Sequence, residues 1–304
     1  MDWNSTNNTI EFNDHCKSFF GNIVTWKLII YLSVLVIAVI ANILLLFAIY
    51  KDPLKCFRNP TTCFIANLAI ADLMNALVHP EEVLLTQTTY SSIYCFTGIG
   101  GTIHIATSHF IYFLACPAVA VLALERYVSI AYPFWHKVNF TVKLCYIWMA
   151  VIWLVNCIYT GIFTVYTTHE DVLITAYPGL FYLATVVIYL LAFISIRKQR
   201  FSLATDVTKS DSVKRMMKLR LKKEKRFLTT VLIINVVLVF GIIPTVVGSH
   251  FMYRSDGITK KRAELVLPFT VVLYFLNMAA NPFLYIWRLP KYRRTLFVMY
   301  GCKK

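Results

Sequence analysis

Seven stretches of this chain are apolar for about 20 residues or more, the length an α-helix needs to cross the hydrocarbon core of a bilayer. They run over residues 25–50, 61–86, 93–130, 142–166, 173–196, 227–252 and 264–287. Lipid offers a backbone N–H or C=O no hydrogen-bond partner, so each stretch reads as a helix. The third is long enough to tilt strongly or to project past the bilayer. Of the 304 residues, 58% are hydrophobic and only 15% are charged. The apolar residues fall in long blocks rather than short periodic stripes, which is how a chain solvated by lipid reads. The expected fold class is all-α, a seven-transmembrane helix bundle. No internal repeat is visible, which argues against a transporter built from inverted repeats.

The net charge of +15 would suit a nucleic-acid partner, but its distribution does not. Lys and Arg gather over residues 51–58, around Lys137 and Lys143, over 197–226, and from Arg288 onward. These are alternate gaps between the apolar blocks, plus the C-terminus. Only Lys17, Lys27, Arg254, Lys260, Lys261 and Arg262 lie on the other side, leaving 24 of the 30 basic residues on one. That is the positive-inside bias, which puts the C-terminus in the cytoplasm. An odd number of spans then puts the N-terminus outside, as expected of a multi-pass protein of the plasma membrane with no nucleic-acid partner. Sequons at Asn4 and Asn7 agree, as glycosylation acceptors in an external tail. A third, at Asn139, falls in a cytoplasmic loop and should stay unmodified. No basic region, short apolar stretch and small-residue cleavage site follow one another at the start, so the first span is expected to be an uncleaved signal-anchor.

The eight cysteines do not form a disulfide framework. Cys56, Cys63, Cys116, Cys145 and Cys302 fall in spans or on the cytoplasmic side, where thiols stay reduced, and Cys157 lies in the fourth span. Cys16 and Cys95 sit where oxidation occurs, and two readings stay open for them, a bridge or two free thiols. Beyond the last span, Leu289, Tyr292, Leu296 and Tyr300 share one helical face, while Lys291, Arg293 and Arg294 lie mostly elsewhere. This reads as a short amphipathic helix on the inner leaflet. Cys302 just after it is either a palmitoylation site or an unmodified tail thiol.

Polar residues deep in a span are expensive, about 2.5–3.5 kcal/mol for a charge at the helix centre, and are functional hypotheses by default. Asp72 lies mid-span, and Asn42, Asn277 and Asn281 are polar at comparable depth. These four can satisfy one another inside the bundle, with water or a cation completing the set; an inert interhelical cluster is the other reading. At the cytoplasmic end of span three stands Glu125-Arg126-Tyr127. Glu224, at the foot of span six, is a carboxylate within a Lys-rich run. If spans three and six are neighbours, Arg126 can pair with Glu224 and latch the cytoplasmic face shut, a bistable element. Pro282, in Asn281-Pro282-Phe283-Leu284-Tyr285, and Pro244 in span six each remove a backbone hydrogen bond and kink their helix. The carbonyl freed in span seven needs another donor.

Taken in order, these residues resemble the rhodopsin-like G protein-coupled receptors across nearly the whole chain. Asn42 is similar to the span-one asparagine of that family, Leu68-Ala69-Ile70-Ala71-Asp72 to its span-two motif, and Glu125-Arg126-Tyr127 to its span-three motif. Trp153, Pro244 and Asn281-Pro282-Phe283-Leu284-Tyr285 match spans four, six and seven. Each motif alone is weak, but six in order are specific. The resemblance implies a receptor and not an enzyme, triggered by a ligand through outward movement of the sixth helix. Its expected partners are a heterotrimeric G protein, with arrestin and a receptor kinase. Arg126 would contact the G protein, Glu224 would restrain it at rest, and Tyr285 would swing inward. Asp72, Asn277 and Asn281 would form part of a sodium site, the one non-protein group expected; Ala115 stands where the family often has serine. The organisation implied is an external tail over residues 1–24, a receptor domain over 25–287, and the amphipathic helix and cytoplasmic tail over 288–304.

Departures from the pattern are equally specific. Ile242 and Gly241 replace the tryptophan and cysteine before the span-six proline, so the aromatic toggle is absent. Ala184 replaces the span-five proline, and Ala192 the tyrosine lower in that span. Gly101 replaces the cysteine topping span three, and residues 167–175 offer it no partner. A short second extracellular loop, the missing span-five proline and the missing loop disulfide are most similar to the melanocortin-like branch, in a loose grouping with adenosine and cannabinoid receptors.

The resemblance also bounds the ligand. Ser108 stands where amine receptors carry an aspartate, and Phe275 where opsins carry the retinal lysine. Glu81, Glu82, His104, His109 and Tyr112 remain in the outer half, with Phe181, Thr245 and Ser249 completing the wall. Two carboxylates there suit a cationic ligand such as a basic peptide, or a divalent ion with His104; in the other reading, one faces headgroups and one caps a loop. His104 and His109 are five apart, so they are not a one-face metal pair. Two other classes are weighed against a receptor, a channel or secondary transporter with Asp72 in an ion path, and a decoy that no longer couples. The first leaves Glu125-Arg126-Tyr127, Glu224 and the basic third cytoplasmic loop unexplained.

Overall fold

The computed structural model of the chain describes residues 25–55, 57–78, 98–165, 170–205, 210–226, 258–288 and 290–299, with residues 228, 229, 232, 233 and 236 of the sixth span. All regular structure among them is helical. In chain order, α1 is Thr25–Lys51, α2 Pro60–Val78, α3 Gly98–Ala131, α4 Pro133–Asn139, α5 Val142–Val165 and α6 Glu170–Thr205; α7 covers residues 211–226, α8 is Ile258–Arg288 and α9 Pro290–Met299. By length and composition α1, α2, α3, α5 and α6 can each cross a membrane. The seventh expected span is α8, and α9 is the expected amphipathic helix. Asn4, Asn7, Cys16, Glu81, Glu82, Cys95, Pro244, Thr245, Ser249 and Cys302 lie outside the described residues, as does the side chain of His104.

Local chemistry fixes several of the helix starts. Asn59 caps α2, its Oδ1 accepting the Thr62 N–H at 3.1 Å, with Pro60 in the first helical position where its missing N–H costs nothing. Thr141 caps α5 by accepting the Leu144 N–H at 3.2 Å, and Pro133 opens α4. In the α1–α2 turn the Asp52 carboxylate accepts the Phe57 N–H at 3.2 and 3.3 Å.

Two of the apolar blocks are shorter than the helices that contain them. The fifth block covers 173–196, but α6 runs over Glu170–Thr205; the seventh covers 264–287, but α8 begins at Ile258. Apolar content ends where lipid ends, whereas a helix continues through charged residues that favour it. The basic segment 197–226 is accordingly helical from both sides, as expected of an extension of spans five and six. α3 and α6 contain Pro117 and Pro178, and Pro178 rather than residue 184 carries the proline of the fifth span.

α3 lies at the centre, packed against α2, α5 and α6, while α1 packs between α2 and α8. On α1 the inner face is Tyr31, Leu35, Ala38, Asn42, Leu45 and Ala48, all buried, and the outer face includes exposed Ile29, Ile37, Ile40 and Phe47. Both faces are apolar, so lipid replaces water as the solvent of the outer one. Small residues mark the side where backbones approach.

Candidate functional site

Two polar layers cross the bundle. In the deeper one, Asn281 of α8 donates from Nδ2 to Oδ2 of Asp72 on α2 at 2.8 Å, and both side chains are buried. Asn42 is completely buried and does not touch this pair by hydrogen bond. Its Nδ2 donates to the carbonyl of Ala38 at 2.9 Å and to that of Met278 at 3.4 Å. Met278 is four residues before Pro282, so its carbonyl is the one left without a helical donor by the proline ring. The expected mutual cluster of four is therefore corrected: Asp72 and Asn281 pair, Asn42 repairs the kink, and Oδ1 of Asn277 has no partner among the described residues. Side-chain and backbone acceptors compete for an amide at this depth, and for Asn42 the backbone wins.

Asn75, one turn outward from Asp72, carries no motif that marks it in the sequence. Its Nδ2 donates to the Ile111 carbonyl of α3 at 2.9 Å, and Tyr274 Oη of α8 donates to its Oδ1 at 3.4 Å. It joins three helices.

The second layer closes the C-terminal end of α3. The Glu125 side chain is wholly buried and accepts from Arg126 Nε at 2.6 Å, from Arg126 Nη2 at 2.5 Å, and from Thr61 Oγ1 at 3.1 Å. His136 of α4 places Nε2 2.9 Å from Oε1 of the same carboxylate. Arg126 also donates to Thr61 Oγ1. Glu224 of α7 faces Arg126 Nη1 at 4.0 Å, the outer limit of an ion pair. The spatial neighbourhood expected of Arg126 and Glu224 is present, but the tight partner of Arg126 is Glu125 beside it. Thr61 and His136 carry no signal in sequence, because a lone threonine or loop histidine is unremarkable until α2 and α4 bring them to Glu125.

Two further ties hold α6 and α7 against the last turn of α3. Gln199 Nε2 donates to the Ile130 carbonyl at 2.5 Å, and Arg220 Nη2 to the Ser129 carbonyl at 3.1 Å. Helix-terminal carbonyls lack intrahelical donors and carry partial negative charge, so a guanidinium suits them. Tyr285 is buried in the core at this same end of the bundle, as are Ala192 and Tyr189. Ala192 thus stands where the family pattern has a tyrosine, and Tyr189 one turn earlier supplies a buried ring whose hydroxyl is unpartnered among the described residues. Tyr127 is partly buried and stands edge-on to Tyr132.

Of the expected ligand-pocket residues, Tyr112, Phe181 and Phe275 meet in one cluster with Tyr182 and Tyr274. Tyr112 lies 5.4 Å from both Phe113 and Tyr274, ring centre to ring centre. His109 stacks on Phe113 at 6.0 Å, and Ser108 is buried with a hydroxyl unpartnered among the described residues. Below them Phe113, Tyr159 and Tyr177 complete an aromatic core that joins α3, α5 and α6. Among the described residues no three His, Cys, Asp or Glu converge on a point where a metal ion would be held.

The family model for the 7-transmembrane receptor (rhodopsin family) matches residues 41–285. Similar curated proteins include olfactory receptor 1D2 of Pan troglodytes, 26% identical over 138 residues, 45% of this chain and 43% of that one. Olfactory receptor 1078 of Rattus norvegicus is 26% identical over 132 residues, 43% of this chain and 38% of its own. Neuromedin-U receptor 2 of Homo sapiens is 25% identical over 126 residues, 41% and 29% of the two chains. The alignments thus span less than half the length of these relatives.

Proposed function

The chain belongs to the rhodopsin family of seven-transmembrane receptors, a multi-pass membrane protein, and from that premise we propose that it is a G protein-coupled receptor. The observation that carries the proposal is the convergence on Arg126. The buried carboxylate beside it, a hydroxyl from α2 and a carboxylate from α7 meet the guanidinium at one end of the bundle, and a histidine from α4 holds the buried carboxylate. A charge whose partners lie on three elements, one of them tied to a fourth, changes partners when one element moves, and this is what a switch requires. Release of α7 from α3 exposes Arg126 to a G protein on the cytoplasmic side; arrestin and a receptor kinase would use the same face. The orientation, with the N-terminus outside, follows from the basic residues placed on the Arg126 side.

A sodium ion at Asp72 would be held by its carboxylate and by Oδ1 of Asn277, with water completing the shell. What supports this is that both residues lie in the deeper layer and that Oδ1 of Asn277 lacks a donor among the described residues. Ala115 adds no oxygen, so the site is weak. The ligand proposed is cationic, a peptide or small molecule, bound near Tyr112 and Ser108, with Glu81 and Glu82 offered by the sequence as its counter-charges. The melanocortin-like placement finds no support in these relatives, which are olfactory receptors and one receptor for neuromedin U by name; the family alone is retained.

The test is nucleotide exchange on purified heterotrimeric G proteins by the full chain in lipid nanodiscs. Faster exchange than empty discs is the expected result. No acceleration with any heterotrimer, together with ion flux in liposomes, would replace the receptor reading by a channel or transporter.

A further inference from the structure

A second concave surface lies away from both polar layers, on the lipid-facing flank near the Arg126 end. The ends of α1 and α2, the α1–α2 turn and the first half of α5 enclose a groove of about 800 Å³, within the range of about 300–1,000 Å³ typical of small-molecule sites. Ile49, Ile70, Met149 and Ala150 give it apolar walls, and Arg58 stands at its edge in the turn. Arg58 is exposed and makes no hydrogen bond or ion pair to any described residue.

The second observation lies in the groove's wall. Asn67 is 3% exposed and lines it. The indole N–H of Trp153 donates to Asn67 Oδ1 at 3.0 Å. An indole only donates, so the carbonyl end of the amide must face Trp153 and the NH₂ end must face away. That Nδ2 has no hydrogen-bond partner among the described residues. A buried donor without an acceptor is costly, and it asks for a ligand oxygen. Of the other polar groups on this wall, which include Cys63 and Tyr146, Thr62 is already satisfied, donating to Asn59 Oδ1 and accepting from Tyr292 Oη.

A groove open to the bilayer is filled by lipid, and the polar groups select which. From this geometry we infer that the groove binds an anionic glycerophospholipid, its phosphate on Arg58, its acyl chain along Ile49 and Met149, and an ester carbonyl accepting from Asn67 Nδ2. Guanidinium and phosphate pair bidentately, and a juxtamembrane basic residue contributes about 1 kcal/mol on an anionic leaflet. The inference does not rest on G-protein coupling, but it takes the Arg126 side as the cytoplasmic one, where the anionic lipids lie.

The experiment is native mass spectrometry of the full chain, delipidated in detergent and offered phosphatidylserine, phosphatidylcholine or cholesterol. Wild type should retain phosphatidylserine over phosphatidylcholine by about fivefold, the factor that ~1 kcal/mol corresponds to. Arg58→Gln should abolish that preference while leaving thermal unfolding unchanged, since Arg58 holds no described residue in place. Ala150→Phe, which fills the groove from an exposed position, should lower retention of both phospholipids. Equal retention of the two by wild type, or a preference that survives Arg58→Gln, would overturn the inference. Displacement of phosphatidylserine by cholesterol with no effect of Arg58→Gln would overturn it in favour of a sterol.

Discussion

Asn42 in α1 donates to the carbonyl of Met278 in α8, the one carbonyl that Pro282 strips of its helical donor. The gap that Pro282 leaves in the hydrogen-bond ladder of the last span is thereby filled from a different helix. Asn42→Ala should destabilise the protein by about 1 kcal/mol, between the small mean value of transmembrane hydrogen bonds and the cost of an orphaned carbonyl. A Pro282→Ala background restores a backbone N–H at that position, which can serve the Met278 carbonyl. There the Asn42→Ala substitution should cost measurably less. Thermal unfolding of the four proteins in detergent gives the cycle. Additive effects would show that the Asn42 contact does nothing for the kink.

Asp72 loses its only described hydrogen-bond donor when Asn281 is truncated. Asn281→Ala should therefore cost more stability than Asn277→Ala, by about 1 kcal/mol or more. The sodium proposal makes the opposite pairing of these residues. Replacing choline chloride by sodium chloride at equal ionic strength should raise the unfolding temperature of wild type. Asn277→Ala should blunt that rise and Asp72→Asn should remove it. An undiminished rise in Asp72→Asn would place sodium elsewhere.

His136 ties the short helix α4 to buried Glu125 at 2.9 Å and stacks on Phe140 at 5.0 Å. His136→Phe keeps the stacking and removes the polar contact. It should raise ligand-independent G-protein activation by about twofold to tenfold, the effect of weakening a resting-state contact by roughly 0.4–1.4 kcal/mol. Unchanged basal exchange at equal surface expression would mean that the contact serves only to place α4.

Arg220 and Gln199 hold α7 and α6 to the last carbonyls of α3. Arg220→Ala should speed amide hydrogen exchange over residues 211–226 and leave exchange in α5 unaltered. Arg215→Ala, at an exposed position on the same helix, is the control. Equal effects of the two would show that exchange there reports net charge and not the tie.

How much of this is legible in the sequence depends on whether a side chain's partner is another side chain at a recognisable position. The spans follow from apolar length, and Asp72 with Asn281 from the cost of polar groups in lipid. The partner of Asn42 is a backbone carbonyl, which every residue has, so nothing in the sequence singles it out; only the position of Pro282 hints that a donor is needed. Arg220 sits in a run of basic residues that look alike, and its role depends on which face of α7 meets α3. The ends of α6 and α8 escape a reading by apolar length because charge ends a membrane crossing without ending a helix. Asn67 reads in sequence only as the residue before the span-two motif; its unpaired amide emerges once Trp153 is seen to occupy its other end.

The central claim is that Arg126 is the group a G protein meets and that its neighbours restrain it. The most direct measurement is ligand-independent G-protein activation in cells by wild type, Glu224→Ala and Arg126→Ala, at matched surface expression. Glu224 lies 4.0 Å from Arg126 and is partly exposed, so its removal should raise the basal signal modestly, about twofold to fivefold, in line with an exposed ion pair of roughly 0.4–1 kcal/mol. Arg126→Ala should abolish it. A flat response from all three proteins, or a signal that survives Arg126→Ala, would contradict the account.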